Sequence, residues 1–566
     1  MKRELKKLYT EAGERLKNDP STVPWDEYPR PHMRRNEWLN LNGFWDIETE
    51  SGYKGSVRVP FPLESLLSGF EGALSYGEKL TYKRTFTIPA KWRGRRVILN
   101  AGAVSRKCGV FVNGVKAGES DSSYFPIGLD ITDALVDGEN ELRIECSNDL
   151  DPTYPYGKQK IKRGGMWYTP CSGIWQTVWL EPVPERRVRE IVCEIDAGSV
   201  TITAEGAGDG IMLFDGREYK LENGKCRIEP EEPRLWSPEE PNLYGFTVKT
   251  GEDEVSGYCA FRTVGTKTVK GVPRLTLNGR PYFFNGLLDQ GYFSDGLWTP
   301  AEPFEYERDI LRMKALGFNT LRKHIKIEPE LFYYYCDRLG MAVFQDMVNN
   351  GEYRFFRDTI LPTIGVTRMN DSRRKPDART AEEFLKGMRR TADLLRSHPS
   401  VVYWTVFNEG WGQFEADRAY CLLKEQDASR PIDTASGWFR REKTDADSLH
   451  IYFRKLRPGK RRSLPCVISE FGGYVWKDEA HSRNLEKTYG YRIFKTRAEF
   501  AAAFRRLYTD ELLPLVKEGL SAAVYTQVSD VEDETNGLLS FDRRIEKLEP
   551  SEISDVMEAI CKAAEE

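Results

Sequence analysis

The sequence predicts a multidomain protein with an N-terminal β-sandwich of the jelly-roll type, an immunoglobulin-like β-sandwich and a C-terminal (β/α)8 or TIM barrel. Three observations predict this order. Short apolar runs separated by turn signals occupy the first half of the chain, and strand-like runs alternate with helical patterns in the second half. At 566 residues the chain is also too long for one compact core. We expect domains at residues 1–185, 186–265 and 266–566.

Residues 25–182 have the pattern of an antiparallel sandwich. Runs such as 96–100 and 141–146 alternate or cluster apolar residues, and turn dipeptides such as Asn113-Gly114 separate them. This pattern predicts two packed sheets. Residues 186–264 repeat it in a shorter unit whose size is typical of an immunoglobulin-like sandwich.

From about residue 277 the pattern changes to alternating strands and helices. Eight such strands over roughly 290 residues are the expected size of a (β/α)8 barrel. The segment 348–379, rich in Arg and Asp, is a candidate rim of the site. The predicted strands are 282–288, 320–324, 341–347, 401–408, 431–435, 448–452, 466–469 and 522–527. The predicted helices are 304–316, 329–339, 381–396, 414–426, 498–517 and 550–564.

Two of these strands end in a glutamate that is followed closely by glycine. The apolar run 401–408 is followed by Glu409 and Gly410, and the run 465–469 by Glu470. Carboxylates at the C-terminal ends of barrel strands lie where TIM-barrel enzymes build their active sites. A single glutamate after an apolar strand is usually a surface residue, but two in one barrel pattern indicate a carboxylate pair facing a common pocket.

Two facing carboxyl groups are the smallest set of catalytic side chains that cleaves a glycosidic bond in most glycoside hydrolases. In a retaining hydrolase one carboxylic acid donates a proton to the leaving oxygen, while a carboxylate about 5–5.5 Å away attacks the anomeric carbon. Asn408, next to Glu409, is suited to hold a hydroxyl of the reacting sugar. Asp289, after the first barrel strand, either binds sugar hydroxyls or caps its turn, and we favour the first.

Composition argues against several other classes. The net charge of -4 gives no case for nucleic acid or anionic membrane, and no window approaches 18 consecutive apolar residues. Residues 1–10 contain no apolar signal-peptide core. The ten cysteines form no CxxC pair, which indicates reduced core residues of a cytoplasmic protein. Because no ligand motif is evident, we expect no metal and no cofactor.

Several motifs resemble glycoside hydrolase family 2, the group of β-galactosidases, β-glucuronidases and β-mannosidases. The resemblance covers nearly the whole chain, in sandwich, immunoglobulin-like and barrel order. Besides Asn408-Glu409, the matching segments are 38–45 (WLNLNGFW), 172–181 (SGIWQTVWLE), 321–324 (LRKH), 335–340 (YCDRLG) and 469–473 (SEFGG).

The resemblance implies roles for individual residues. Glu409 would be the general acid/base and Glu470 the nucleophile. It further implies a homo-oligomer, either a dimer or a tetramer. The residues that would line the sugar subsite are Arg322, His324, Asn408, Tyr452 and Trp438.

Two departures from the family bear on the sugar. Thr177 stands where large β-galactosidases have an aspartate that reaches the sugar. Residues 534–539 carry no lysine where β-glucuronidases of the family have an Asn-x-Lys motif for the sugar carboxylate. A uronic acid would therefore need another cation, such as Arg543 or an arginine of segment 348–379.

The sequence thus predicts a retaining exo-β-glycosidase acting on a carbohydrate substrate, most similar to a β-galactosidase. A β-glucuronidase, a β-mannosidase or an arabinosidase on the same fold remains open as an alternative. A rival from another class is a catalytically silent carbohydrate-binding protein, which the two glutamates disfavour.

Overall fold

The computed structural model describes residues 5–363, 366, 370–374, 376–459 and 463–565. Its sheets confirm the predicted fold class, with a β-sandwich, an immunoglobulin-like sandwich and an eight-stranded parallel barrel in chain order. The limits 185 and 265 of the predicted domains stay predictions, and the second falls inside a strand, Val264–Val269. None of the described helices combines the length and apolar character needed to cross a membrane.

The first sandwich packs a four-stranded sheet against a six-stranded one. Its strands are β1 (Leu39–Asn40), β2 (Gly43–Thr49), β3 (Lys54–Val59), β4 (Leu80–Thr87), β5 (Arg96–Ala101), β6 (Val104–Ser105), β7 (Cys108–Val112), β8 (Val115–Ser120), β9 (Ile127–Asp130), β10 (Glu139–Cys146), β11 (Gly173–Ile174) and β12 (Val178–Val183). The sheet orders are β1-β12-β5-β9 and β3-β2-β4-β10-β7-β8. Alternate residues such as Trp45, Leu99 and Leu142 point into the apolar core between the sheets.

The second sandwich is smaller and consists of a three-stranded sheet and a four-stranded sheet. Its strands are β13 (Glu190–Ile195), β14 (Val200–Glu205), β15 (Gly210–Phe214), β16 (Arg217–Leu221), β17 (Lys225–Ile228), β18 (Tyr244–Thr250) and β19 (Asp253–Cys259). They pair as β13-β14-β17 and β16-β15-β18-β19. A buried ion-pair network ties it to the first sandwich, because Arg35 bonds both Glu181 of β12 and Asp253 of β19.

A short three-stranded antiparallel sheet leads into the barrel. Its strands are β20 (Val264–Val269), β21 (Val272–Leu277) and β22 (Arg280–Pro281). The barrel region contains β23 (Phe284–Asp289), β24 (Thr320–Lys323), β25 (Ala342–Asp346), β26 (Val401–Asn408), β27 (Ile432–Ser436), β28 (Asp447–Ile451), β29 (Cys466–Gly472), β30 (Tyr474–Val475), β31 (Arg492–Ile493) and β32 (Ala522–Thr526).

Eight of these strands form the barrel, in the order β27-β26-β25-β24-β23-β32-β29-β28. All of its hydrogen-bonded neighbours are parallel. The ladder is open between β27 and β28, which nonetheless lie side by side. Glu409 therefore follows the fourth barrel strand and Glu470 lies on the seventh, as the sequence predicts.

Helices cover the outside of the barrel. The α-helices are α1 (Glu11–Asn18), α2 (Phe304–Ala315), α3 (Glu330–Leu339), α4 (Leu361–Thr363), α5 (Ala378–Leu395), α6 (Ala416–Gln426), α7 (Arg497–Arg506), α8 (Leu513–Lys517) and α9 (Pro550–Glu565). The predicted helix 498–517 is α7 and α8 joined by a π-helical turn, Leu507–Leu512. Of the candidate rim 348–379, residues 364–365, 367–369 and 375 lie outside the described part.

One loop of the first sandwich reaches the C-terminal end of the barrel. This sandwich loop, residues 147–172, joins β10 to β11. Its Tyr156 donates a backbone hydrogen bond to the Asn349 carbonyl (3.1 Å), just after β25. Trp167 packs edge-on against Trp411, beyond β26, with ring centroids 5.1 Å apart. A domain distant in sequence thus borders the barrel mouth.

Candidate active site

Glu409 is held at the carboxyl end of β26 by its backbone. Its amide donates to the Ser436 carbonyl at 3.1 Å, and its own carbonyl accepts from Trp438 Nε1 at 2.9 Å. The residue adopts a left-handed conformation with φ of 53°. Such a conformation is uncommon for a residue with a Cβ and often marks a functional position. The hydrogen bonds on both sides of the peptide stabilise it here.

Glu470 lies on β29 at a register irregularity. Against β28, Leu449 pairs with Ile468 but His450 pairs with Glu470, so Ser469 is an additional residue in the ladder. A bulge of this kind re-aims the side chain next to it. The Glu470 carboxylate accepts hydrogen bonds from two side chains, Arg322 Nη1 (3.1 Å) and the Tyr452 hydroxyl (2.7 Å).

The two carboxylates meet in one pocket. An oxygen of Glu409 and an oxygen of Glu470 lie within 4.8 Å of each other, and a ring nitrogen of His450 lies within the same distance of both. His450 Nδ1 is 2.8 Å from Glu409 Oε1 and 3.6 Å from Glu470 Oε2. This imidazole therefore lies between the two carboxylates. The sequence-based prediction did not include His450 among the site residues.

Arg322, on β24, donates hydrogen bonds to several groups of the pocket. Its buried guanidinium donates to Asp346 Oδ1 (2.9 Å), to the Asn408 amide oxygen (2.8 Å) and to Glu470. The same group also donates to the Ser469 carbonyl at 2.9 Å. One planar cation with several donors can thus fix both the predicted nucleophile and the predicted sugar ligand beside it.

His324 shares Asp346 with Arg322. Its Nδ1 lies 2.7 Å from Asp346 Oδ2. Burial, with the positive charge of Lys158, outweighs the carboxylates and lowers the pKa of His324 to about 4. The imidazole is therefore neutral at neutral pH. A neutral ring that donates Nδ1–H to Asp346 keeps Nε2 as a hydrogen-bond acceptor.

Charges around Glu470 keep it ionised. Burial acts to raise the pKa of Glu470, but the positive charges of His450 and Arg322, together with smaller effects of His324 and Lys158, lower it to about 2. An ionised carboxylate at neutral pH is what nucleophilic attack requires.

Tyr452 and Trp438 also border the carboxylate pair. The Tyr452 ring is stacked on Tyr491, with centroids 3.7 Å apart. Trp438 meets the His450 ring edge-on at 5.5 Å. Among the predicted site residues, Arg322 and Tyr452 contact Glu470 directly. Asn408 is connected to the pair through Arg322, and Trp438 through His450. His324 is connected through Asp346 and Arg322. Their roles toward a sugar remain predictions.

Asp289 belongs to a second group of charges. Its carboxylate accepts from Lys323 Nζ at 2.6 Å and from the Gly291 amide at 2.9 Å. Lys323 also bonds Glu328 Oε1 (2.8 Å), which in turn accepts from Lys326 Nζ (2.9 Å). We call Asp289, Lys323, Lys326 and Glu328 the outer network. The prediction that Asp289 binds sugar hydroxyls is untested by these contacts and stays a prediction.

We call the other group the pocket network. It consists of Glu409, Glu470, His450, Arg322, Asn408, His324 and Asp346.

Two clusters of described residues have donor atoms that could hold a cation. One is the bridged trio Glu409, His450 and Glu470, and the other is His32, Asp337 and His398, buried between the sandwiches and the barrel. In the first, His450 Nδ1 already lies at hydrogen-bond distance from Glu409. The expectation that the protein uses no metal stays a prediction.

Sequence reasoning did not predict His450, Asp346 or Lys158 as site residues, because little in the local sequence marks them. His450 is the fourth residue of the five in β28, and Asp346 is the last residue of β25. Both positions lie at the carboxyl ends of predicted barrel strands, where functional side chains concentrate. Lys158 carries no signal, because it lies in an irregular loop of another domain.

Comparison with protein families gives three matches along the chain. The model "Glycosyl hydrolases family 2, TIM barrel domain" matches residues 269–458. The model "Glycosyl hydrolase 2 galactose-binding domain-like" matches residues 73–175. The model "Glycosyl hydrolases family 2" matches residues 196–262. Together the three segments span well over half of the chain.

Individual proteins agree with these matches. A β-galactosidase of Aeromonas hydrophila is 31% identical over 423 residues, which are 68% of this chain and 38% of that protein. The chain thus spans well under half the length of this relative.

Two solved structures share the fold. A β-D-glucuronidase of Dictyoglomus thermophilum has a TM-score of 0.73 at 17% identity, covering 94% of this chain and 98% of its own. A β-galacturonidase of Eisenbergiella tayi bound to galacturonate has a TM-score of 0.66 at 18% identity, covering 94% and 99%. The family matches and the shared architecture agree in domain order and extent. The chain belongs to glycoside hydrolase family 2.

Proposed function

We propose that this protein is a retaining exo-β-glycosidase that hydrolyses terminal β-linked sugars by double displacement. The observation that supports this most is the approach of Glu409 and Glu470 oxygens to within 4.8 Å. Retaining glycosidases hold their carboxyl groups about 5–5.5 Å apart, whereas inverting enzymes leave about 6.5–9.5 Å for a water molecule.

In the first step Glu470 attacks the anomeric carbon. Its hydrogen bonds from Arg322 and Tyr452 hold the carboxylate in place. As the new C–O bond forms, the bond to the leaving oxygen breaks, and the protonated Glu409 gives that oxygen its proton. The products are a free alcohol and a covalent glycosyl-enzyme with inverted anomeric configuration.

In the second step water releases the sugar. Glu409, now a carboxylate, removes a proton from a water molecule that attacks the anomeric carbon from the opposite face. The bond to Glu470 breaks, and the second inversion restores the β configuration. His450 supports both steps by fixing the orientation of Glu409, to which its Nδ1 lies at 2.8 Å.

Neighbouring groups are suited to hold the sugar. The amide oxygen of Asn408 is taken by Arg322, which leaves the amide nitrogen to donate to a hydroxyl. Such a bond to the reacting sugar strengthens in the transition state. The sandwich loop borders the barrel mouth, which is consistent with action on chain ends rather than on chain interiors.

The sugar specificity is a finer part of the proposal. The Aeromonas hydrophila relative is a β-galactosidase, which favours a galacto-configured glycone. β-Glucuronidase, β-mannosidase or arabinosidase activity are the alternatives on the same fold. A catalytically silent sugar-binding protein is disfavoured, because it would have no need of a bridged carboxylate pair whose second member is held ionised.

The test is Glu470→Ala, assayed on a panel of p-nitrophenyl β-glycosides. We expect kcat to fall by about a thousandfold or more on every glycoside that the wild-type protein cleaves, because the covalent step loses its nucleophile. Glu415→Ala, at the partly exposed residue just before α6, is the matched control and should stay near wild type. A loss smaller than about tenfold for Glu470→Ala would remove the proposed nucleophile.

Two further measurements separate the roles of the pair. Proton NMR of the first-formed product should show the β-anomer, since double displacement retains configuration. Glu409→Ala should spare substrates with a good leaving group most, because they need least protonation. A first-formed α-anomer would exclude the proposed mechanism.

A further inference from the structure

Lys158 is a cation at the barrel mouth that comes from the first sandwich. It lies on the sandwich loop and is half-buried. Among the described residues, its ammonium forms no salt bridge and no hydrogen bond to a side chain or carbonyl. Its carbonyl accepts from the Tyr168 amide at 3.0 Å, so the backbone that presents it is fixed.

The loop is seated directly on the ends of two barrel strands. Gly157 donates to the Asn349 carbonyl at 3.3 Å, beyond the end of β25. It adopts φ of 69°, and a Cβ at this position would lie 2.9 Å from the Ile325 carbonyl oxygen, one residue after His324. Glycine is therefore required for the close approach that places Lys158 beside the pocket network.

The charge of Lys158 acts on three groups around the pocket. It contributes to the lowered pKa values of Glu470 and His324, and it opposes the effect of burial, which raises the pKa of Glu534. These groups come from β29, from the end of β24 and from the segment after β32. Together with the contacts of Gly157 with Asn349 and Ile325, this places the ammonium at the carboxyl ends of these strands, within electrostatic reach of the predicted nucleophile.

Four other described cations near the barrel mouth already have partners in the protein. Arg322 is held by Asp346, Glu470 and Asn408, and Arg163 by Glu532 and Asp533. Arg543, the cation that the sequence suggests for a uronic acid, donates instead to the Phe541 carbonyl and to Asp309. In segment 348–379, Arg374 donates to the Gly410 carbonyl.

Because the Lys158 ammonium makes no salt bridge among the described residues, it is available to pair with the anionic group of a ligand. We propose that Lys158 binds the carboxylate of a uronic acid glycone, so that the substrate class is a β-linked hexuronide. This inference rests on the proposed function and narrows it from a neutral sugar to its C6-oxidised counterpart. The missing lysine of segment 534–539 is then compensated from another domain.

The experiment uses the full chain and a pair of substrates that differ only at C6. These are p-nitrophenyl β-D-galacturonide and p-nitrophenyl β-D-galactoside, with the matching glucuronide and glucoside as a second pair. For the wild-type protein we expect the higher kcat/KM on a uronide. In Lys158→Met, kcat/KM for that uronide should fall by about 30-fold or more, while the neutral partner changes by less than about threefold.

Two variants control for charge and folding. Lys162→Met removes the same charge from an exposed position of the same loop and should leave both substrates unchanged. Lys158→Arg keeps a cation and should retain more uronide activity than Lys158→Met. Inhibition by free D-galacturonate gives a second readout, since Lys158→Met should weaken it more than inhibition by D-galactose.

Three results would overturn the inference. These are an equal loss on both substrates in Lys158→Met, no loss on either, and a wild-type protein that cleaves only neutral glycosides. The last would leave the proposed glycosidase function intact. A wild-type protein that cleaves no glycoside at all would instead refute the proposed function itself.

Discussion

Strand β24 contributes one residue to each of two ionic networks, and the two networks differ in whether polar groups remain free to bind a ligand. Arg322 points into the pocket network, and its neighbour Lys323 points the other way into the outer network. In the outer network Lys323 and Lys326 are matched by Asp289 and Glu328. In the pocket network hydrogen-bonding groups remain for a ligand, among them the Asn408 amide nitrogen. We therefore expect adjacent residues of one strand to serve stability on one side and the proposed chemistry on the other.

The two networks differ because side chains alternate between the two faces of a strand and because only one of these faces borders the pocket. Successive side chains point to opposite faces, so residues 322 and 323 enter different surroundings. The Glu328 side chain is completely buried, whereas 18% of the Glu409 side chain is exposed. Charges that are fully enclosed must neutralise one another, but charges beside a pocket can be completed by a substrate. Substitutions in the two networks should therefore have different consequences.

The largest effect is expected for Arg322→Met. The change removes the donor to Glu470 and Asn408. Among the described residues it leaves the Asp346 carboxylate with a hydrogen bond from neutral His324 and no cation. We expect kcat/KM to fall by about a thousandfold or more, because a buried, hydrogen-bonded charge is lost at the reacting group. Steady-state kinetics with circular dichroism as a folding control measures this. Activity within about tenfold of wild type would contradict the central place given to this residue.

Lys323→Met should affect stability instead. It leaves the Asp289 carboxylate without its cation inside the protein, so the free energy of unfolding should fall by about 3–5 kcal/mol. Where the variant is folded, kcat/KM should stay within about tenfold of wild type. Urea unfolding and kinetics on the same sample test both points. Adding Asp289→Asn should recover part of the loss, because an amide needs no cation; a pure kinetic defect would refute the separation of the networks.

His450→Gln should change the pH profile. The positive charge of His450 is the largest of the influences that lower the pKa of Glu470 to about 2 against the effect of burial. Without it this pKa rises, so Glu470 becomes protonated and inactive at a higher pH. We expect the acid limb of kcat/KM to move upward, with a loss of about 100-fold at the optimum. Measurement from pH 3 to 8 tests the shift, and an unchanged acid limb would contradict it.

The smallest effect is expected for Asp433→Asn, in β27 beneath the pocket. Among the described residues Asp433 forms no salt bridge, and burial raises its pKa from 3.8 to about 6 although the Ser448 hydrogen bond and the charge of Arg322 act to lower it. An acid with a raised folded-state pKa destabilises the fold as pH rises from about 4 through about 6. The variant should therefore gain about 1–3 kcal/mol over wild type between pH 4 and pH 8. A gain that does not vary with pH would point to another cause.

Much of the barrel could be predicted from residue composition and from the periodicity of hydrophobic residues along the chain. The strand 401–408 is observed at its predicted limits, because its β-branched and aromatic residues are buried on both faces. Helix limits shift by a few residues, as at α5, which begins at Ala378 rather than 381. The π-helical turn Leu507–Leu512 was not predictable from a helical pattern that continues through it. The positions of Glu409 and Glu470 followed from strand counting and from the glycines that come shortly after each of them.

The rest of the site depends on contacts that no local pattern encodes. His450 is one polar residue in a short strand, and its bridge to Glu409 depends on the register of β28 against β29. Asp289 ends β23, where a carboxylate can turn to either side of the barrel, so sequence alone leaves its surroundings open. Lys158 required knowledge of where a loop of another domain docks. Long-range packing, rather than propensity, decides each of these cases.

The sandwich loop implies that recognition and chemistry can be inherited separately in this molecule. The residues that would break the glycosidic bond belong to the barrel, while a residue that would select the substrate arrives on a module folded elsewhere. Transplanting the N-terminal module between family members should then transfer sugar preference while every barrel residue stays unaltered. Removing it should leave an intact barrel open to solvent on the side where the sugar would enter.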